Sequence, residues 1–114
     1  MDLTPKTIFE QKFPEALARN PALARDVNAI FQFDISGPQG GKWALDLTRE
    51  KDWVTVGEVA SPAMTITASD QDFLAIVSGK MNGQMAFMSG KIKFKPMNIA
   101  LATKLSKVLA AGRG

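Results

Sequence analysis

The side chains best suited to bind a ligand are concentrated in residues 69–95, which read SDQDFLAIVSGKMNGQMAFMSGKIKFK. Met81, Met85 and Met88 recur there at helical spacing, with Phe87 beside them, and the segment ends with a lysine at every second position. Methionine is flexible and polarizable, and it is common on apolar surfaces that adapt to ligands of different shape. The pattern fits an apolar cavity for an amphiphile with an anionic head group, and it is also typical of methionines that fill an ordinary core.

Side chains for acid–base, nucleophilic or metal chemistry are scarce. The chain has no histidine, cysteine or tyrosine, so the commonest general base and the thiolate nucleophile are both absent. Asp70 and Asp72 stand at a predicted helix start, where carboxylates cap backbone N–H groups, and Asp34 and Asp46 are expected on solvated strand faces. The glycines of SGPQGGK join two predicted strands and do not open a helix, unlike a phosphate-binding loop. We therefore expect no enzyme, no metal site and no cofactor.

Positive charge is concentrated in the last third of the chain. The formal net charge is only +3, but no Asp or Glu follows Asp72. The basic residues beyond it are Lys80, Lys91, Lys93, Lys95, Lys104, Lys107 and Arg113. This distribution favours an anionic ligand or an anionic membrane surface, and it also fits a solvated face, since lysines on a strand protect sheet edges. A nucleic-acid partner is not expected, because Phe94 points away from the lysines beside it.

The first two thirds of the chain predict helices followed by a sheet. Residues 4–27 have helical apolar spacing that Pro14 and Pro21 interrupt, so two or three helical pieces are expected. Four alternating segments follow, IFQFDIS, KWALDL, WVTVGEV and MTITA, of which the first two form a hairpin. Their alternation predicts one buried and one solvated sheet face.

At Ser69 the apolar spacing changes from that of a strand to that of a helix. Ser69 is a predicted helix cap, Phe73, Ile76 and Val77 form a buried stripe, and Gly79 ends the helix. A second short helical piece, the strand KIKFK and the amphipathic closing helix NIALATKLSKVLAA complete the chain. The whole therefore reads as one α+β domain over residues 1–114.

The chain shows no signal-peptide pattern and no apolar run long enough to span a bilayer. It ends in Gly-Arg-Gly, and not in a peroxisomal address of the Ser-Lys-Leu type. We therefore expect a cytoplasmic location.

The segment SDQDFLAIVSGKMNGQMAFMSGKIKFK, followed by IALATKLSKVL, resembles the sterol carrier protein type 2 domain, and GKWALDL looks like the Trp-bearing second strand of that family. The resemblance extends from about Phe31 to Leu109. It implies a single five-stranded, mainly antiparallel, twisted sheet with helices packed on one face. An apolar tunnel between sheet and helices would bind fatty acids, fatty acyl-CoA, sterols or other lipids without altering them.

The resemblance also implies which residues form the site. Ala86-Phe87 and Gly90-Lys91 would mark the helix-to-strand junction at the tunnel, and the leucines of the closing helix would form its lid. Head-group or surface contact is expected from Lys91, Lys93 and Lys95. The expected tunnel lining comprises Phe33, Trp43, Leu45, Phe73, Ile76, Val77, Met81, Met85, Phe87, Met88, Ile92, Phe94, Leu101, Leu105 and Leu109.

The function expected from these observations is binding and intracellular carriage of apolar or amphipathic lipids, with a lipid as the main partner. Transient contact with an anionic membrane surface or with lipid-metabolising enzymes would accompany it. The alternative is an accessory protein that presents an isoprenoid or quinone-like lipid intermediate to partner enzymes.

Overall fold

The computed structural model describes residues 4–95 and 98–111, apart from the side chains at positions 83, 84, 110 and 111. Arg113 of the basic third lies outside the described residues. A π-helical turn, Ile8–Lys12, joins the first two helices. The helices and strands, in chain order, are α1 (Pro5–Thr7), α2 (Phe13–Arg19), α3 (Pro21–Val27), β1 (Ile30–Ser36), β2 (Gly41–Asp46), β3 (Val54–Val56), β4 (Met64–Ser69), α4 (Asp70–Val77), α5 (Gly83–Met88), β5 (Ile92–Lys95) and α6 (Ile99–Ala111).

The N-terminal helices form two continuous pieces. Thr4 caps the first by accepting a hydrogen bond from the Thr7 N–H at 3.1 Å. The chain passes Pro14 without a break, because this residue lies in the first turn of α2, directly after the π turn. In that turn the Phe13 N–H donates to the carbonyl of Ile8, five residues back, the widened pattern of a π-helix. The break falls at Pro21, where α3 begins.

The five strands form one sheet in the order β3-β2-β1-β4-β5. Three neighbouring pairs are antiparallel, and the pair formed by the central strand β1 with β4 is parallel. The predicted hairpin is present, with Phe33 opposite Trp43. The expected α+β fold, with a mainly antiparallel five-stranded sheet, is therefore confirmed.

The core lies between the sheet and the helices. The alternate residues of β1 and β4 that face inward are almost completely buried, and α4 packs against both of these strands. The inward-facing strand residues that are buried are Phe31, Phe33, Ile35, Trp43, Leu45, Met64, Ile66, Ala68 and Ile92. The predicted period-two alternation thus places the apolar face of the sheet under the helices.

The opposite sheet face, predicted to be solvated, is partly covered. Gln32 and Ala44 lie on this face, and both are buried. The Gln32 side chain donates to the Gly57 carbonyl at 3.1 Å and accepts from the Val59 N–H at 2.8 Å. These bonds hold the connection after β3 across the outer face of the sheet, so the prediction of a fully solvated face is wrong at this place.

The third strand is shorter than its sequence predicts. WVTVGEV forms a strand only at Val54–Val56, on the outer edge of the sheet. Trp53 precedes the strand and is buried, and its indole N–H donates to the Arg49 carbonyl at 2.9 Å. Among the described residues, no helix has both the length and the apolar character needed to cross a membrane.

Candidate functional site

A stack of aromatic rings lies at the centre of the core. Phe9 stands between Trp43 and Phe73, nearly parallel to both, with ring centroids 4.8 and 5.1 Å away. Phe33 and Phe13 meet Phe9 edge-on, at 4.9 and 5.2 Å. Phe9 is completely buried, so it fills the space that three of the predicted lining residues, Phe33, Trp43 and Phe73, surround.

Five different elements hold these rings, with Phe13 contributed by α2. Phe33 and Trp43 are directly opposite each other in the β1–β2 ladder, and cross-strand neighbours of this kind share one sheet face. Phe73 is on α4, and Phe9 is in the π turn. The Trp43 indole N–H reaches the Glu10 carboxylate at 3.4 Å. The predicted lining missed Phe9, although its position four residues before Phe13 already indicated a buried helical stripe.

The start of α4 is fixed by side-chain hydrogen bonds. Ser69 accepts from the Asp72 N–H at 3.1 Å, as the sequence predicts. The buried Asp70 accepts from the N–H of Gln71 at 2.8 Å and from that of Gln39, in the β1–β2 turn, at 3.0 Å. Asp70 therefore ties the helix that carries Phe73 to the hairpin that carries Trp43.

Most of the predicted lining residues meet in this core. Those buried in one continuous cluster are Phe33, Trp43, Leu45, Phe73, Ile76, Val77, Ile92, Leu105 and Leu109. Met81, Phe94 and Leu101 are partly buried against the cluster. The described residues show this apolar cluster between sheet and helices, but they do not show a tunnel through it.

The expected inward orientation of Met85, Phe87 and Met88 is wrong in this structure. Their exposed fractions are 68%, 37% and 78%. The helical piece predicted between Gly83 and Gly90 is present as α5, but it turns Ala86 toward the core, and Met81 lies outside it. The two methionines of α5 therefore lie outside, while Phe87 stacks on Phe94 with ring centroids 5.4 Å apart.

The three lysines predicted to contact a head group lie at the edge of the sheet. Lys91, Lys93 and Lys95 are exposed, and β5 is an outermost strand. Lysines on an edge strand discourage pairing with the strands of other chains, so this position fits that role as well as a role in binding. Lys91 and Lys93 contribute to an open depression of about 320 Å³, which is also lined by Ser36, Thr67, Ala68, Ser69, Asp72 and Gly90.

Titratable side chains do not gather into a reactive group in the described part of the chain. No set of three or more acidic residues is placed there to hold a metal ion. The resolved pKa shifts belong to an exposed ion pair on the β2 side, where hydrogen bonding to Glu58 raises the pKa of Lys42 and Lys42 lowers the pKa of Glu58. The site is thus defined by apolar packing, with lysines at its margin.

Comparison with known protein families identifies the family to which this fold belongs. Residues 9–110 match the model of the SCP-2 sterol transfer family. The chain belongs to this family. The matched range includes Phe9, the whole sheet and nearly all of α6, so the aromatic cluster lies inside the family domain.

The chain is similar to segments of larger proteins. It is 43% identical over 88 residues to the hydroxysteroid dehydrogenase-like protein 2 of Rattus norvegicus, a match that covers 76% of this chain and 17% of that protein. It is 38% identical over 98 residues to peroxisomal multifunctional enzyme A of Dictyostelium discoideum, covering 84% of this chain and 22% of that enzyme. The chain thus spans about a fifth of the length of these relatives.

Solved structures share the fold over nearly the whole chain. The sterol carrier protein domain 2 of Helicoverpa armigera has a TM-score of 0.76 and 31% identity, covering 100% of this chain and 95% of that one. The palmitated form of SCP2L2 from Aedes aegypti has a TM-score of 0.73 and 32% identity, covering 95% and 96%. The apo form of sterol carrier protein 2 from Yarrowia lipolytica has a TM-score of 0.76 and 27% identity, covering 94% and 90%.

Proposed function

We propose that this chain is a single lipid-binding domain that holds an apolar or amphipathic lipid between its sheet and its helices and carries it without chemical change. The observation that carries the proposal is the Phe9 stack, an apolar region walled by β1, β2 and α4. Family membership supports it, and the similar Aedes aegypti protein was solved with palmitate. Fatty acids are therefore the first ligands to test, ahead of fatty acyl-CoA and sterols.

The ligand chain would take the place of the Phe9 ring. Phe9 belongs to a π turn, and π turns inside helices are local irregularities frequently found at functional sites. If this turn changed to regular α-helical hydrogen bonding, the side chains before it would rotate relative to those after it. Phe9 would then leave the gap between Trp43 and Phe73 to an acyl chain.

Within this proposal the buried residues of the cluster and the partly buried Met81, Phe94 and Leu101 contact the lipid. A role of Lys91, Lys93 and Lys95 at an anionic head group remains a prediction, supported by their exposure next to Ile92 and Phe94 in the sequence, which contact the cluster. The predicted cytoplasmic location also remains a prediction, and one relative is named peroxisomal.

A second candidate is presentation of a bound lipid to a partner enzyme. It is favoured by the matches to segments that make up 17% and 22% of a dehydrogenase-like protein and a multifunctional enzyme. An isoprenoid or quinone-like intermediate would fit the same apolar space. Copurification of an enzyme together with a lipid of that class would favour this role over free carriage.

The experiment uses the two tryptophans as reporters. Trp43 lies in the ring stack, whereas Trp53 precedes the edge strand β3. In Trp53→Phe, titration with palmitate should change the Trp43 fluorescence and saturate at one lipid per chain. In the matched control Trp43→Phe, the remaining Trp53 should stay silent. The proposed site would be wrong if palmitate left Trp43 unaffected or acted on both tryptophans alike.

A further inference from the structure

Three large apolar side chains are exposed on one short helix. Met85, Phe87 and Met88 belong to α5, where the two methionines are among the most exposed large apolar residues of the described chain. Single exposed apolar residues are common, but a cluster rimmed by polar groups is typical of an interaction surface. Long methionine side chains suit a partner without a fixed shape.

The lysines in β5 and directly before it border the same helix. The Lys91 N–H donates to the Ala86 carbonyl of α5 at 2.8 Å, and Phe87 stacks on Phe94 of β5. Lys93 and Lys95 alternate with Phe94 and point to the other side of the strand. Because β5 is the edge of the sheet, α5 and the lysines flank one edge from its two sides.

The charge around this edge has one dominant sign. Lys91, Lys93 and Lys95 have no ion-pair partner within the described ranges. No acidic residue follows Asp72 in the sequence, and Asp72, in the depression shared with Lys91 and Lys93, is the one carboxylate that lines it. The edge therefore presents three unpaired cations next to exposed methionines.

We propose that this β5 edge, defined by Met85, Phe87, Met88, Lys91, Lys93 and Lys95, docks on an anionic lipid membrane. Apolar side chains that enter the interface and lysines that meet lipid phosphates are the two components of peripheral membrane binding. The inference rests on the proposed function, because a lipid carrier must meet the membrane from which it takes its lipid. An acidic protein would satisfy the lysines, but it would not require methionines that project freely from a six-residue helix.

The charge test is sedimentation of the protein with vesicles of phosphatidylcholine, with and without phosphatidylserine. Binding should require phosphatidylserine and fall as salt is added, since salt screens exposed charges. The triple variant Lys91→Gln, Lys93→Gln, Lys95→Gln should lose affinity by roughly 100-fold. The matched control is Lys42→Gln, Arg49→Gln, Lys51→Gln, which removes the same charge near β2 and β3 and should retain nearly all of the affinity.

The apolar test compares Met85→Gln, Met88→Gln with Val56→Gln. Val56 is 74% exposed on β3, at the opposite edge of the sheet. The methionine variant should lose about tenfold in vesicle affinity, and the Val56 variant should lose none.

Equal losses in the two charge variants would overturn the proposal, because net charge alone would then explain binding. Unchanged vesicle binding by the methionine variant would also overturn it. So would a wild-type protein that does not bind anionic vesicles, which is the result expected if the edge binds an acidic protein instead. Palmitate binding by the wild-type protein without vesicles separates the two ideas. A protein that binds palmitate but no vesicles contradicts only the docking edge, whereas one that binds no palmitate contradicts the lipid site.

Discussion

Among single residues, Phe9 is the position whose substitution tests whether the apolar cluster is a lipid site or an ordinary core. The ring is completely buried among aromatic neighbours that would otherwise face an acyl chain. We predict that Phe9→Leu lowers the free energy of unfolding by about 1–3 kcal/mol without lipid. Palmitate should recover much of this loss, because its chain fills the space that the ring leaves. Urea denaturation with and without palmitate measures both effects.

The matched control for Phe9 is Phe31→Leu. Phe31 is also completely buried, but it makes no ring contact with the aromatic residues of the described chain. Its variant should lose similar stability and recover none of it with palmitate. If palmitate restored both variants equally, or neither, Phe9 would be a core residue with no role at the site.

Asp70 links α4 to the β1–β2 hairpin, so its replacement should destabilise both elements. In Asp70→Ala the Gln39 N–H, in an exposed turn, loses its part-buried hydrogen bond to a carboxylate, which costs about 1–3 kcal/mol. Hydrogen exchange of the Gln39 amide should accelerate in this variant. Asp72→Ala should leave that amide protected and cost about 0.3–1 kcal/mol through the helix dipole. Equal exchange of Gln39 in both variants would contradict the linking role.

The sequence predicted the inward side chains of the sheet but not the outward turn of α5. Alternation over β1, β2 and β4 leaves one way to bury Phe33, Trp43 and Ile66, so those positions were predictable. The spacing of Met81, Met85 and Met88 indicated one shared face, but Met81 precedes α5, and α5 buries Ala86 instead of its methionines. The burial of Phe9 was predictable from its helical spacing, but its contacts with Trp43 and Phe73 were not, since they join elements that are distant in sequence.

At the scale of elements, α6 packs on other helices, namely α2, α3 and α4. Leu105 is completely buried, whereas Leu101 is half-buried near the start of the helix. We predict that Leu105→Ala costs about 2–5 kcal/mol in the lipid-free protein, as for other core leucines. Thermal unfolding without lipid checks this value, and a loss below about 1 kcal/mol would contradict the core position.

If α6 acts as the predicted lid, we expect the half-buried Leu101 to carry that function. Leu101→Ala should cost little in the lipid-free protein and should reduce the rise in melting temperature that palmitate produces. Leu105→Ala provides the comparison within the same helix, because it should lower the melting temperature by the same amount in both states. If Leu101→Ala behaved like Leu105→Ala, α6 would be an ordinary core helix.

The fold class was predictable from element order, but the pairing of the strands was not. The parallel contact of β1 with β4 joins strands that two other strands separate in sequence. Gln32 holds the connection after β3 over the outer face of the sheet through hydrogen bonds to Gly57 and Val59. The alternation of β1 gives no information on the position of this connection, so the buried outer face was not predictable.

At the scale of the whole molecule, lipid and fold should stabilise each other. A ligand that binds only the folded state, present at 100 times its dissociation constant, adds about 2.7 kcal/mol to the free energy of unfolding. Palmitate should therefore raise the melting temperature progressively with its concentration. A methyl ester at equal concentration tests the head group, and it should stabilise less if the lysines meet the carboxylate.

Native mass spectrometry of the purified protein tests lipid carriage most directly. We expect a population of chains with one bound lipid, loss of that mass after organic extraction, and a single added palmitate per chain after reloading. The same reloading should succeed in Trp53→Phe, whose ring stack is intact. A spectrum with only the lipid-free chain, both on purification and after incubation with palmitate, would contradict lipid carriage.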